Sequence, residues 1–173
     1  WCTFDYEQID LDLKSPVTQE VLRQFLIRLA RTNAKMIRMD AFAYSTLEIG
    51  TNCFFLEPQV WELLEWLNEY VSPFGTEILP EVHEHHAYHF KIANKGYWTY
   101  DFALPMLVLH TLYHHTSERL RHWLTICPRK QVTTLDTHDG IGVVDVEDLL
   151  TAEEIERTLS GLDEKGSNTR KLY

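Results

Sequence analysis

Four short apolar runs, each ending at or beside an acidic residue and separated by longer amphipathic stretches, constrain this chain more than any other feature. They are KMIRMD (35–40), TEILPEV (76–82), the run from Tyr97 to Phe102, and QVTTLDT (131–137). Runs this short, with helical stretches between them, read as strands joined by crossover helices, and so as a parallel sheet. The helical stretches carry their own signals. Ser15-Pro16 predicts an N-cap with proline at the first helical position. Val21, Leu22, Phe25, Leu26 and Leu29 then follow at helical spacing. A second helix is expected from about Glu57-Pro58, with Val60, Trp61, Leu64, Leu67 and Val71 on its face. A short helix should stop near Gly96, and two more should cover 105–115 and 117–126. Thr151 with Glu154 three residues on predicts a capping box for a helix over 151–162. Residues 41–51, 140–150 and 166–173 read as loops.

In a (β/α)8 barrel the functional residues sit where strands end. The strand ends here carry Asp40, Glu81, Asp101 and the cluster Asp136 to Asp139. A complete barrel needs eight strands and about 200 residues or more. Four strands in 173 residues, with no methionine at position 1, lead us to expect about half a barrel. The fold class expected is α/β, a partial (β/α)8 barrel of central-to-late strands.

Composition removes several classes of function. The net charge is −10, without the basic footprint that phosphate-backbone binding of nucleic acid requires. No apolar run reaches the ~18 residues of a membrane span. Cys2, Cys53 and Cys127 are odd in number and lack CxxC spacing, which reads as reduced thiols in a cytoplasmic setting. His110 and His114 have ligand spacing, and His83, His85 and His86 cluster, but no carboxylate or cysteine joins them at fixed spacing. No metal site is expected. Trp61 and Trp66 read as helix core, and the acidic residues 147–156 as a solvated face.

The strand-end carboxylates are the residues with chemistry to offer. Arg38 lies two residues before Asp40, on the same strand face. A guanidinium there favours the ionised carboxylate that a nucleophile needs. Glu81 follows Leu79-Pro80, and apolar surroundings suit a general acid. His83 shares its face. In Asp136-Thr137-His138-Asp139-Gly140 the turn is eased by Gly140, and the polar groups suit sugar hydroxyls or a positive anomeric carbon. Two carboxylates flanking a bond are the minimum apparatus of glycoside chemistry.

Four segments resemble, in order, blocks of the α-amylase clan, and more closely its sucrose phosphorylase branch. They are Gln8-Ile9-Asp10-Leu11-Asp12, Ile37-Arg38-Met39-Asp40-Ala41, Leu79-Pro80-Glu81-Val82-His83, and the run from Thr134 to Gly142. Tyr100 to Pro105 and Gly142-Val143-Val144-Asp145 are also typical of that branch. The resemblance implies Asp40 as nucleophile, Glu81 as acid/base and Asp139 as transition-state stabiliser. It implies Arg38 and His138 at the glucosyl ring, Tyr44, Phe4 and Gln8 around the pocket, and His83 near the acceptor. It implies a retaining double displacement on sucrose with inorganic phosphate as co-substrate and no cofactor. The alternatives are a related phosphorylase acting on sucrose 6'-phosphate or glucosylglycerate, and an α-glucoside hydrolase with water in place of phosphate. In a different class stands a non-catalytic sugar-binding protein, against which the intact Asp40, Glu81 and Asp139 argue. The expected partners are the sugar and phosphate, with no nucleic acid and no membrane; the full-length protein is a candidate homodimer. By the same resemblance residues 1–14 end an inserted domain, 15–139 are barrel and 140–173 begin a second insertion. Met39 replaces the branch's usual leucine, and Tyr44 stands where α-amylases carry histidine, as tyrosine does in the sucrose phosphorylase branch. The family's first conserved block has no counterpart here.

Overall fold

The computed structural model describes residues 1–168 and divides into two compact units, Trp1–Val82 and His83–Tyr173. In the first unit, α1 (Pro16–Ala30), β1 (Met36–Met39), α2 (Gln59–Val71) and β2 (Glu77–Pro80) follow one another. β1 and β2 pair in parallel, with Ile37 beside Ile78 and Met39 beside Pro80. α2 is the crossover between them and packs on both β2 and α1. Its inward face is Val60, Leu64, Leu67 and Val71, all at most 2% exposed. Each such burial stabilises the fold by ~1.5–3 kcal/mol. Ser15 caps α1 with extended backbone and proline follows, but its side chain makes no capping hydrogen bond.

The second unit holds α3 (Ala87–Asn94), β3 (Thr99–Asp101), α4 (Ala103–His114), α5 (Glu118–Ile126), β4 (Gln131–Thr133) and α6 (Ala152–Asp163). β3 and β4 are again parallel, Asp101 beside Thr133. The core gathers Ala103, Met106 and Leu107 of α4 around Trp123, with Cys127, Val146, Leu149 and Leu150. Asp101, with no exposed surface, ties these elements together. It accepts hydrogen bonds from the Leu104 N–H, the Trp123 indole and the Gln131 amide. Burial nevertheless pushes its carboxyl above the ordinary range. The expected capping box is present: the Thr151 hydroxyl accepts from the Glu154 N–H while the Glu154 carboxylate accepts from the Thr151 N–H.

Both parallel pairs with intervening helices are the βαβ arrangement expected of a partial barrel. Two expectations need correction. The fourth strand stops at Thr133 rather than Thr137. The Thr134 hydroxyl donates to the Asp136 carbonyl and the Thr137 hydroxyl to that of Gly140, so local turns compete with the ladder. The loop 140–150 contains a buried 3-10 turn, Val144–Val146. The expected loop over 166–173 lies only partly within the described residues. Among these, no helix is long and apolar enough to cross a membrane.

Candidate active site

Arg38 is the centre of the first unit's polar group. In the parallel register Arg38 lies beside Leu79 and Met39 beside Pro80; continuing it sets Asp40 beside Glu81. Neighbouring strands run ~4.8 Å apart, so the two carboxylates emerge side by side. One guanidinium bridges them: Nη1 lies 2.7 Å from Asp40 Oδ1 and Nη2 lies 2.5 Å from Glu81 Oε1. The planar fork of arginine suits this double contact. The backbone completes the frame. Ala41 adopts a left-handed φ of 45°, and its N–H donates to Glu81 Oε2 at 3.1 Å. The Glu81 N–H donates to the Met39 carbonyl and the Phe42 N–H to the Glu81 carbonyl, both at 2.9 Å. Glu81 is therefore not in apolar surroundings alone, as its sequence neighbours suggest. It is buried, yet it accepts two donors. The Asp40 side chain is 71% exposed.

The same unit holds an aromatic file. Phe4 meets Tyr44 edge-on at 5.3 Å between centroids, and Tyr44 meets Phe54 at 5.1 Å. The file continues through Phe55 to Trp61. Phe4 and Tyr44, expected to shape a pocket, are thus in contact. Gln8 is exposed in a turn closed by its own N–H to the Asp5 carbonyl. Trp61 and Trp66 are half-buried rather than core; the Trp61 indole donates to Glu57, and Trp66 meets Tyr70 edge-on.

In the second unit, Asp139 and His138 are adjacent and both largely exposed, with His138 Nε2 3.3 Å from Asp139 Oδ2. The Asp139 N–H donates to the Thr137 hydroxyl, and Gly140 turns the chain with φ 87°. With the strand ended at Thr133, the turn rather than strand alternation sets where Asp136 and His138 point. His83 is half-buried and stacks on Phe102 at 3.7 Å and 17°. Arg38, Asp40 and Glu81 thus belong to one unit, and His83, His138 and Asp139 to the other.

Sequence reasoning passed over two groups. Glu154 is not part of a solvated face. It pairs with Arg119 at 3.0 Å and lies 3.5 Å from Nε2 of His110, which is 1% exposed. Asp145 is buried completely between His83 and His89, and only its place in a family-typical run marked it in the sequence.

No family model matches the chain. It is 50% identical over all 173 residues to a sucrose phosphorylase of Streptococcus mutans, covering 36% of that protein. It is 40% identical over 97% of its length to a glucosylglycerol phosphorylase of Marinobacter adhaerens, covering 35% of it. The crystal structure of sucrose 6F-phosphate phosphorylase from Thermoanaerobacter thermosaccharolyticum matches with a TM-score of 0.93 at 36% identity. That match covers all of this chain and 36% of the other. The chain therefore spans about a third of the length of the curated relatives it matches, and along its whole length it is a homologue of the sucrose phosphorylases.

Proposed function

We propose that the protein containing this chain transfers a glucosyl group from sucrose to inorganic phosphate with retention. Asp40 attacks the anomeric carbon while Glu81 protonates the departing fructosyl oxygen. This leaves a β-glucosyl ester on Asp40 and frees fructose. A phosphate oxygen then attacks the same carbon and Glu81 takes up its proton. α-Glucose 1-phosphate leaves, and Asp40 and Glu81 return to their starting states. Two inversions give net retention, which needs carboxyl groups ~5–5.5 Å apart.

The observation that carries the reading is the single guanidinium bridging Asp40 and Glu81, because it holds two carboxylates at neighbouring strand ends side by side. In this reading Asp139 stabilises positive charge at the anomeric carbon, and Arg38 and His138 bind the ring. Phe4, Gln8 and Tyr44 border the pocket, and His83 stands near the acceptor. Residues 15–139 serve as barrel, between the end of one insertion, 1–14, and the start of a second, 140–173. Phosphate is the only co-substrate and no cofactor takes part. The three free cysteines fit a cytoplasmic enzyme.

Likeness to phosphorylases named for sucrose 6F-phosphate and glucosylglycerol gives a second reading, in which the leaving or accepting group differs. Release of glucose 1-phosphate by the full-length protein across sucrose, sucrose 6F-phosphate, glucosylglycerol and glucosylglycerate separates the two. Asp40→Asn is expected to abolish the trapped glucosyl ester. Glu81→Gln is expected to slow both half-reactions by ~10²–10⁴-fold, with partial rescue of the first by a fluoride leaving group. Full activity of Glu81→Gln on sucrose would overturn the acid/base assignment.

A further inference from the structure

Two aspartates of the second unit have no exposed surface, and they are served very differently. Asp101 accepts three hydrogen bonds. Among the described residues, neither carboxylate oxygen of Asp145 accepts one. A buried carboxylate without donors is costly and needs a reason to be kept. Each Asp145 oxygen instead faces an imidazole: Oδ2 lies 3.9 Å from His83 Nδ1, and Oδ1 lies 3.9 Å from His89 Nε2.

The surroundings fix this geometry. His83 ends a column of nearly parallel rings, with Phe102 stacked on Tyr100 at 4.8 Å and 10° and His83 on Phe102 at 3.7 Å and 17°. The ring plane of His83 is therefore set, leaving only a half-turn flip about Cβ–Cγ and the choice of protonated nitrogen to its polar neighbours. Gly142 lies against the Asp145 carboxylate, so that a Cβ there would overlap Oδ2 and touch His83 Nδ1. Gly142 does not need a positive φ, so its lack of a side chain serves the space and not the turn.

We infer that Asp145 is the positioning residue of His83: it holds the proton on Nδ1 and so presents Nε2 as the ring's working nitrogen. Which nitrogen of a histidine acts is set by the hydrogen bond the other makes. A contact of 3.9 Å is long for that bond, but such contacts commonly tighten once substrate is bound. Because the reading above sets His83 near the acceptor, this inference rests on it: Asp145 acts on the phosphate half-reaction through His83.

The test is a double-mutant cycle in the full-length enzyme. Asp145→Asn is expected to lower kcat/KM for phosphate roughly ten- to hundredfold, the scale of a misplaced group, mostly by raising KM. The loss should fall on phosphate more than on ester formation from α-glucosyl fluoride. The double variant Asp145→Asn/His83→Ala should be no worse than His83→Ala alone. Losses that multiply, or an Asp145→Asn enzyme with unchanged phosphate kinetics, would overturn the inference. If Asp145→Asn does not fold, Gly142→Ala displaces the same carboxylate and is read in the same way. In the wild-type enzyme, ¹⁵N-histidine NMR should find the His83 proton on Nδ1; a proton on Nε2 would overturn the inference. The cycle can be run on whichever acceptor the enzyme uses. A failed cycle therefore removes Asp145 alone, whereas a glucosyl ester surviving in Asp40→Asn removes the functional reading itself.

Discussion

Arg38 does more than its sequence position suggests. Read from the chain alone it is the partner of Asp40, two residues on. In the fold its other terminal nitrogen reaches Glu81, 43 residues away, because β2 lies in register beside β1. Arg38→Ala would leave the buried Glu81 carboxylate without its guanidinium partner, held by the Ala41 N–H. Breaking a fully buried pair costs ~3–5 kcal/mol. The Arg38 side chain is 35% exposed, so the expected loss is smaller than that. Arg38→Lys keeps the charge but not the planar fork. Thermal unfolding of the full-length protein should therefore be nearly restored in Arg38→Lys, while turnover stays down by about 10²-fold from misplaced carboxylates. Equal recovery of stability and turnover would mean that charge alone, and not the bridge, is what the site needs.

At the scale of elements, α4 and α6 meet through a buried polar contact with a direction in pH. His110 stacks on His114 at 4.4 Å, and Arg119 and Glu154 also face it. Burial, followed by the charge of His114, pushes the His110 imidazole below its ordinary 6.5. The unfolded chain therefore takes up a proton first as pH falls. The stability from keeping His110 neutral is present above about 6.5 and is lost as pH drops through the lower folded value, with a slope of at most ~1.4 kcal/mol per pH unit. Asp101 works in the opposite sense: its raised value favours the fold below its ordinary 3.8, and that advantage is lost as pH rises through the folded value. To isolate His110, Tm should be followed from pH 7.5 to 5.5 in wild type and His110→Gln. The variant is expected to lose less; parallel curves would remove His110 from the pH response. None of this was legible in the sequence. His110 and His114 announce helical spacing, but Glu154 comes from a helix 40 residues on, and its pairing requires the tertiary fold. What was legible was local. The Thr151–Glu154 capping box needs only i to i+3 geometry, and the Val60–Val71 stripe only the helical repeat. β4 was overextended because residues 131–137 read as a strand, while the side-chain hydrogen bonds of Thr134 and Thr137 favour turns.

At the scale of the whole molecule, the unsatisfied surfaces decide what these residues do alone. Each unit holds one parallel pair, and parallel pairs normally lie inside larger sheets covered on both faces. α1 presents Val17, Val21, Phe25 and Leu29 at four-residue intervals, and they are 74%, 46%, 57% and 47% exposed. An apolar stripe along a helix is the pattern of a face that packs against something. The solved relative with the same fold is nearly three times as long, since this chain covers 36% of it. A polypeptide limited to residues 1–173 should therefore bind a dye for exposed apolar surface, unfold without a sharp transition and release no glucose 1-phosphate from sucrose. Extending it with the flanking sequence that its relatives possess should bury the stripe, pair the strand edges and restore both a cooperative transition and turnover. The discriminating measurement is a thermal melt of both polypeptides, each paired with a glucose 1-phosphate assay. A sharp melt with measurable turnover from the 173 residues alone would show that the two parallel pairs and their helices close a working site by themselves.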